Sequence, residues 1–154
     1  MSTLVHSVRV GSSAAADRSD AWMLFDDGRV AAAGIGAGHP VADEVVDGGG
    51  GFLVPGFVDI HGHGGGGASF DEGAEAIGIG RALHLAHGTT RAVVSLVTAS
   101  LEAMAARAAM VADACASDPT ILGSHLEGPF LDPGHKGAHT AGLLRAPDAA
   151  RSAR

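Results

Sequence analysis

The regular alternation of short apolar runs with helix-like segments is the feature that most constrains the fold of this chain. Three apolar runs and two such segments follow one another in the order 52–60, 72–87, 91–97, 101–115 and 119–127. The second segment is rich in alanine, and Ser100 precedes it as a predicted N-cap. Its predicted apolar stripe consists of Leu101, Met104, Ala108, Val111 and Ala112. Strands that alternate with helices of this length are typical of βαβ units. The pattern therefore predicts an α/β fold with a parallel sheet.

The first fifty residues have a different pattern. Short apolar or alternating runs occur at 4–10, 21–25 and 29–35. Asp27-Gly28 lies between the last two runs, and an Asp-Gly pair in this position favours a β-hairpin. We therefore predict a small β domain over residues 1–50, followed by an α/β domain over residues 51–154.

Charge and composition exclude several classes of protein. The net charge is −7, and Lys136 is the only lysine among ten basic residues, so we expect neither nucleic-acid binding nor attraction to anionic membranes. The sequence contains no stretch of about 18 apolar residues, so no membrane span is predicted. The single cysteine, Cys115, excludes an internal disulfide, and the N-terminus lacks the pattern of a secretion signal. We expect a cytoplasmic protein.

Two histidines and an aspartate occupy alternate positions where the first apolar run ends. Because side chains alternate between the two faces of a strand, Asp59, His61 and His63 are expected to project to the same side. Two imidazoles so placed can bind one metal ion, while Asp59 could bridge a metal or orient a ligand histidine. A coincidental pair in a chain with nine histidines is the alternative. The position at the end of an apolar strand favours the metal site.

A second pair of polar residues, His125 and Glu127, ends the third apolar run and shares one face of the strand. An acidic side chain that ends a buried strand needs a cation, a hydrogen-bond donor or water, and capping of the next segment is the alternative role. Together with His61 and His63, Glu127 predicts a divalent-metal site built from two strands.

Other polar or glycine-rich segments give weaker signals. The loop 132–139 contains two histidines and Lys136, so it could contact a phosphate or sugar, or it could be an ordinary solvated loop. The glycine run at 64–67 is expected to be a flexible connection. His84 and His87 are expected to have structural or surface roles, and Cys115 is expected to be packed rather than nucleophilic.

Two motifs carry a family resemblance. Pro-Gly-Phe-Val-Asp-Ile-His-Gly-His-Gly-Gly at 55–65 resembles the first barrel strand of the metal-dependent amidohydrolases. His-Leu-Glu-Gly-Pro-Phe at 125–130, followed by Lys-Gly-Ala-His at 136–139, resembles more specifically the N-acetylglucosamine-6-phosphate deacetylases. The resemblance implies a partial (β/α)8 TIM barrel, comprising the first three strands, preceded by part of a small β-sandwich domain.

The resemblance also implies a reaction and its residues. The family uses metal-activated water to remove the acetyl group from N-acetylglucosamine 6-phosphate, which gives glucosamine 6-phosphate and acetate. By position in the motifs, Glu127 matches the metal-binding glutamate, and His61 and His63 match the pair that binds a second metal in some members. Ala138 and His139 match the contact with the amino-sugar phosphate. The metal could be Zn, Fe, Mn or Co.

The chain departs from the family in one respect. The family's two further histidine ligands and its catalytic aspartate lie beyond the position that matches the last residue, Arg154. No catalytic residue is therefore predicted here, and we expect an N-terminal part of the enzyme that is inactive by itself, with a homo-oligomer as one option at full length. Two alternatives remain: another amidohydrolase acting on a cyclic amide or nucleobase, and a non-catalytic remnant that binds metal or sugar phosphate.

Overall fold

The computed structural model describes residues 1–12 and 15–147, which belong to two compact units, Met1–Pro55 and Gly56–Arg154. Both units contain β-sheet, and the second also contains two α-helices. The mixed α/β class predicted from the sequence is therefore confirmed. Within the described residues, no helix combines the length and the apolar character needed to span a membrane.

The first unit is built around one five-stranded sheet. Its strands, in chain order, are β1 (Ser2–Ser12), β2 (Ala15–Asp26), β3 (Arg29–Ile35), β4 (Glu44–Asp47) and β5 (Phe52–Leu53). The order across the sheet is β3-β2-β1-β4, and β5 pairs with β1 beside β4. The first three strands are antiparallel, whereas β4 and β5 run parallel to β1.

The turn between β2 and β3 confirms the predicted hairpin. Asp26 pairs with Arg29, and the two residues between them, Asp27 and Gly28, have φ angles of 49° and 70°. Positive φ at both central positions is typical of the type I′ turn, whose twist matches that of the flanking strands. The Asp-Gly sequence therefore fixes the register of this hairpin.

The second unit contains three parallel strands joined by helices. Its elements, in chain order, are β6 (Phe57–Gly62), β7 (Gly64–Gly65), β8 (Ala68–Ser69), α1 (Ala74–Ala86), β9 (Thr89–Val97), α2 (Leu101–Ser117) and β10 (Ile121–Glu127). The sheet order is β10-β9-β6, and all pairs are parallel. The predicted βαβ units are therefore confirmed, with α1 and α2 as the two crossovers.

The core of the second unit lies between the two helices and one face of the sheet. It consists of Phe70, Ile77, Val94, Leu96, Val111 and Ile121. Because side chains alternate along a strand, Val94 and Leu96 face this core while Ser95 projects from the opposite face. Packing of the helices on one face thus leaves Ser95 on the other face, where it hydrogen-bonds with His125 of β10.

Helix α2 starts where the sequence predicts, but its buried stripe is narrower than predicted. The Ser100 side chain accepts a hydrogen bond from the backbone N–H of Ala103 at 3.2 Å, as expected of an N-cap. Met104 and Val111 are buried. Leu101, placed on the apolar stripe in the sequence analysis, is 37% exposed because the first turn of the helix extends beyond the core.

The prediction of a single buried strand over residues 52–60 is wrong in two respects. The apolar run 52–60 divides into β5 and β6, which belong to different sheets, and Pro55 lies between them. Proline has no backbone N–H to donate to a ladder, so it interrupts strand pairing. Burial was also expected, yet Phe57 is 62% and Ile60 is 71% exposed, because β6 is an edge strand among the described residues.

Candidate metal centre

The structure brings His61, His63 and Glu127 together. The two Nε2 atoms of the histidines are 3.2 Å apart. Oε2 of Glu127 lies 2.9 Å from Nε2 of His63 and 3.7 Å from Nε2 of His61. The histidines lie at the carboxyl end of β6 and Glu127 ends β10, so the parallel arrangement places them at the same edge of the sheet.

The separations of these three atoms fit a divalent metal ion. In tetrahedral coordination with metal–nitrogen bonds of about 2.0–2.1 Å, neighbouring ligand atoms lie about 3.3 Å apart. The three observed separations, between 2.9 and 3.7 Å, lie on both sides of this value. Two imidazoles and one carboxylate are also a common donor set for zinc and related ions. Because Nδ1 of His63 is buried, Nε2 is the nitrogen that reaches a ligand.

Two hydrogen bonds hold the backbone immediately around His63. The N–H of Phe70 donates to the carbonyl of His63 at 2.9 Å, and Nε2 of His84 donates to the carbonyl of Gly64 at 2.9 Å. His84 lies on α1, so the helix fixes the segment that carries the histidine ligands. This bond agrees with the structural role expected for His84.

The glycine run after His63 is more ordered than the flexible connection expected from the sequence. Gly64 pairs with Ser69 and Gly65 with Ala68 in a short antiparallel ladder. Gly64 has a φ angle of 143°, and a Cβ there would lie 2.1 Å from the carbonyl oxygen of Ala68. A glycine is therefore required at this position by the close approach of the two strands.

Asp59 and His125 lie beside the cluster but outside it. Oδ1 of Asp59 accepts a hydrogen bond from the backbone N–H of His61 at 3.1 Å, so this aspartate braces the strand end. The His125 ring packs edge-on against the His61 ring, with centroids 4.9 Å apart. His125 also hydrogen-bonds through Nδ1 with Oγ of Ser95 at 3.1 Å.

Sequence reasoning missed Ser95 and Thr98, which both support this site. Ser95 is fully buried and Thr98 is 8% exposed. The signal that could have found Ser95 is a hydroxyl inside the apolar run 91–97, because buried polar groups need hydrogen-bond partners. Nothing comparable marks Thr98, whose partners belong to distant parts of the chain.

A cavity of about 500 Å³ opens beside the cluster. Its walls include His63, Thr98, Glu127, Lys136, Ala138 and His139. Nε2 of His139 lies 3.8 Å from Oε1 of Glu127, and Nζ of Lys136 donates to the carbonyl of His139 at 3.2 Å. The loop residues Ala138 and His139 are therefore next to the candidate metal ligands, whereas His135 is largely exposed and pairs with Asp132.

Imidazole and carboxylate groups that converge at the carboxyl ends of parallel strands, beside a cavity, are typical of metal-dependent hydrolases of the α/β class. No family model matches the chain. Several curated relatives do match. The chain is 39% identical over 112 residues to the N-acetylglucosamine-6-phosphate deacetylase of Bos taurus, and the aligned region covers 69% of this chain and 27% of the relative. It is 32% identical over 130 residues to the N-acetylgalactosamine-6-phosphate deacetylase of Escherichia coli O157:H7, covering 82% of this chain and 34% of the relative.

Solved structures give the same result. A mutant N-acetyl-D-glucosamine-6-phosphate deacetylase from Mycobacterium smegmatis, in complex with N-acetyl-D-glucosamine-6-phosphate, matches with a TM-score of 0.87 and 36% identity, over 99% of this chain and 39% of that one. The N-acetylglucosamine-6-phosphate deacetylase of Pasteurella multocida has the same fold, with a TM-score of 0.90 at 22% identity. The chain is thus related to these deacetylases, as its motifs predict, and spans between 27% and 41% of the lengths of the four relatives described above.

Proposed function

We propose that this chain is the N-terminal part of a metal-dependent deacetylase that acts on N-acetylglucosamine 6-phosphate. The observation that carries the proposal is the convergence of His61, His63 and Glu127 beside the cavity that His139 also lines. The relatives described above support an amino-sugar phosphate over a cyclic amide or nucleobase as the substrate. In the proposed reaction, hydrolysis of the amide gives glucosamine 6-phosphate and acetate.

The proposed architecture follows from the same resemblance. Strands β6, β9 and β10 would be the first three strands of a (β/α)8 TIM barrel, and the first unit would be part of a small β-sandwich domain. Parallel pairing with helical crossovers supports the barrel assignment. The proposed domain ranges are 1–50 and 51–154, whereas the two compact units divide a few residues later, at Pro55.

In this proposal, His61, His63 and Glu127 hold the metal. When bound, a divalent ion supplies Lewis acidity toward an amide carbonyl and lowers the pKa of a water molecule. The chain's own residues contribute positioning: α1 holds the histidine segment through His84, and Lys136 braces the loop that presents Ala138 and His139. No catalytic acid or base is assigned to the chain, so we propose that it binds ligands without turnover.

A second candidate substrate is N-acetylgalactosamine 6-phosphate. The E. coli deacetylase that is named for this sugar matches a larger share of the chain than the bovine relative does. The two sugars differ only in the orientation of one hydroxyl group, so both proposals require the same metal centre and the same amide chemistry. Direct comparison of the two ligands separates them.

Calorimetric titration of the zinc-loaded chain with each sugar phosphate tests the proposal. We expect saturable binding of at least one sugar, weakened about tenfold by His139→Ala because about 1–1.5 kcal/mol of hydrogen bonding is lost. His87→Ala is the matched control, because His87 caps the far end of α1. Absence of binding for both sugars, or equal binding by the His139 variant, contradicts the proposal; release of acetate by the isolated chain contradicts the proposed lack of turnover.

A further inference from the structure

The hydroxyl of Thr98 connects two parts of the candidate site. Its Oγ1 lies 2.8 Å from the backbone carbonyl oxygen of Glu127 and 2.8 Å from Nδ1 of His139. The threonine is 8% exposed, and a Cβ at the adjacent Gly128 would lie 2.0 Å from the same oxygen. Glycine at position 128 therefore leaves room for the hydroxyl, and its two hydrogen bonds hold it between the end of β10 and the loop that carries His139.

Proton counting fixes the direction of both hydrogen bonds. A threonine hydroxyl has one proton to donate, and a carbonyl oxygen can only accept. The proton of Thr98 must therefore point to the carbonyl of Glu127, since otherwise two acceptors would face each other at 2.8 Å. The lone pairs of Oγ1 then remain for His139, so Nδ1 of that ring must carry the donated proton.

We infer that Thr98 is a positioning residue that holds neutral His139 in its Nδ1–H tautomer. The other ring nitrogen, Nε2, is then an unprotonated acceptor. It makes no hydrogen bond within the part of the chain that the structure describes, and it lies on the cavity wall 3.8 Å from Oε1 of Glu127. The ring itself is held in place, because the His139 side chain is only 11% exposed.

The tautomer determines which ligand groups can occupy this part of the cavity. Nε2 of His139 and Oε1 of Glu127 are both acceptors, so a ligand group that contacts both atoms has to be a hydrogen-bond donor. A sugar hydroxyl or an amide N–H satisfies this requirement, whereas a fully ionised phosphate oxygen does not. This part of the inference rests on the proposed function: the sugar ring of an amino-sugar phosphate would face His139, and the phosphate would lie elsewhere.

Nitrogen-15 NMR of the histidine rings tests the tautomer without any ligand or metal. At about pH 8, the two nitrogens of an imidazole ring that carries a single proton have distinct shifts, which show the nitrogen that bears the proton. His139→Gln assigns the signals. We expect a protonated Nδ1 and an unprotonated Nε2 for His139, the reverse or a mixture in Thr98→Val, and the original pattern in Thr98→Ser.

The controls separate this result from a general loss of structure. The exposed His135, in the same loop, and His84, hydrogen-bonded to Gly64, should keep their signals in both Thr98 variants. If Thr98→Val does not fold, the wild-type pattern and the Thr98→Ser pattern still decide the question. A protonated Nε2 in the wild-type ring overturns the inference, and so does an unchanged tautomer in a folded Thr98→Val.

A titration of the same labelled protein, now loaded with zinc, distinguishes the inference from the proposed function. N-acetylglucosamine 6-phosphate should shift the Nε2 signal of His139 as it accepts a hydrogen bond, whereas inorganic phosphate alone should not. The inferred tautomer without any sugar binding would support the role of Thr98 and contradict the proposed function. Sugar binding with the opposite tautomer would overturn the inference alone, as would a shift caused by phosphate.

Discussion

Two glycines of helix α1 are expected to respond in opposite ways to alanine. Gly78 and Gly80 lie two residues apart, but a Cβ added at Gly78 meets no atom within 4 Å. A Cβ added at Gly80 would lie 2.5 Å from Cε1 of Phe70 and 3.1 Å from the backbone nitrogen of Gly65. Phe70 is 1% exposed and belongs to the core, so its ring has little freedom to move away.

The expected magnitudes follow from these contacts. Replacement of glycine by alanine inside a helix stabilises the helix by about 1 kcal/mol, and both variants gain this amount. At Gly80 the added methyl group also overpacks the core, which costs about 1–3 kcal/mol. We therefore expect Gly78→Ala to raise the free energy of unfolding by about 1 kcal/mol and Gly80→Ala to leave it equal or lower it by up to about 2 kcal/mol.

Urea unfolding followed by far-ultraviolet circular dichroism measures the difference directly. Because the helix-propensity gain is common to both variants, it cancels in the comparison, and the remaining difference of about 1–3 kcal/mol reports the overlap with Phe70 and the close approach to Gly65. The double variant Gly80→Ala with Phe70→Leu provides a further check, since a smaller side chain should reduce the overlap. A Gly80→Ala protein as stable as Gly78→Ala would refute the packing of Phe70 against α1.

Two further predictions concern local hydrogen bonds. The Thr120 hydroxyl and backbone N–H both donate to Asp118, at 2.7 and 2.8 Å, and lower the pKa of its carboxyl below the usual value. This carboxylate therefore stabilises the fold above the unfolded-state pKa of about 3.9, and the contribution is lost as the pH falls through the folded-state pKa. Asp118→Asn should lower the urea midpoint near pH 7, by an amount that shrinks toward about pH 2; a constant difference would contradict this. Ser100→Ala should destabilise the protein by about 1 kcal/mol in the same assay, while Ser100→Asp should not, and equal losses would argue against the N-cap.

The elements that the sequence predicts well are those with local signals. The hairpin follows from Asp27-Gly28, and the start of α2 follows from Ser100. Placement of His61, His63 and Glu127 at one sheet edge follows from strand alternation, which is local, and from the parallel order of strands that the alternation of strands and helices predicts.

Features that depend on tertiary packing could not be predicted in the same way. An apolar run does not reveal which sheet it joins, so the sequence predicts one strand over 52–60, although Pro55 divides it. The partners of Thr98 lie 29 and 41 residues away, and no pattern in the sequence connects them. Hydrogen-bonded positioning residues of this kind become visible only when the strand ends and the loop are placed together.

The metal content of the purified chain tests the central proposal most directly. After equilibration with zinc and removal of excess metal, mass spectrometry should find one ion per wild-type chain and little in Glu127→Gln or His63→Ala, because each variant removes one of three ligands. Glu102→Gln is the matched control, since this exposed carboxylate lies in the first turn of α2. Equal metal content in Glu127→Gln and Glu102→Gln would contradict the assignment of the metal centre.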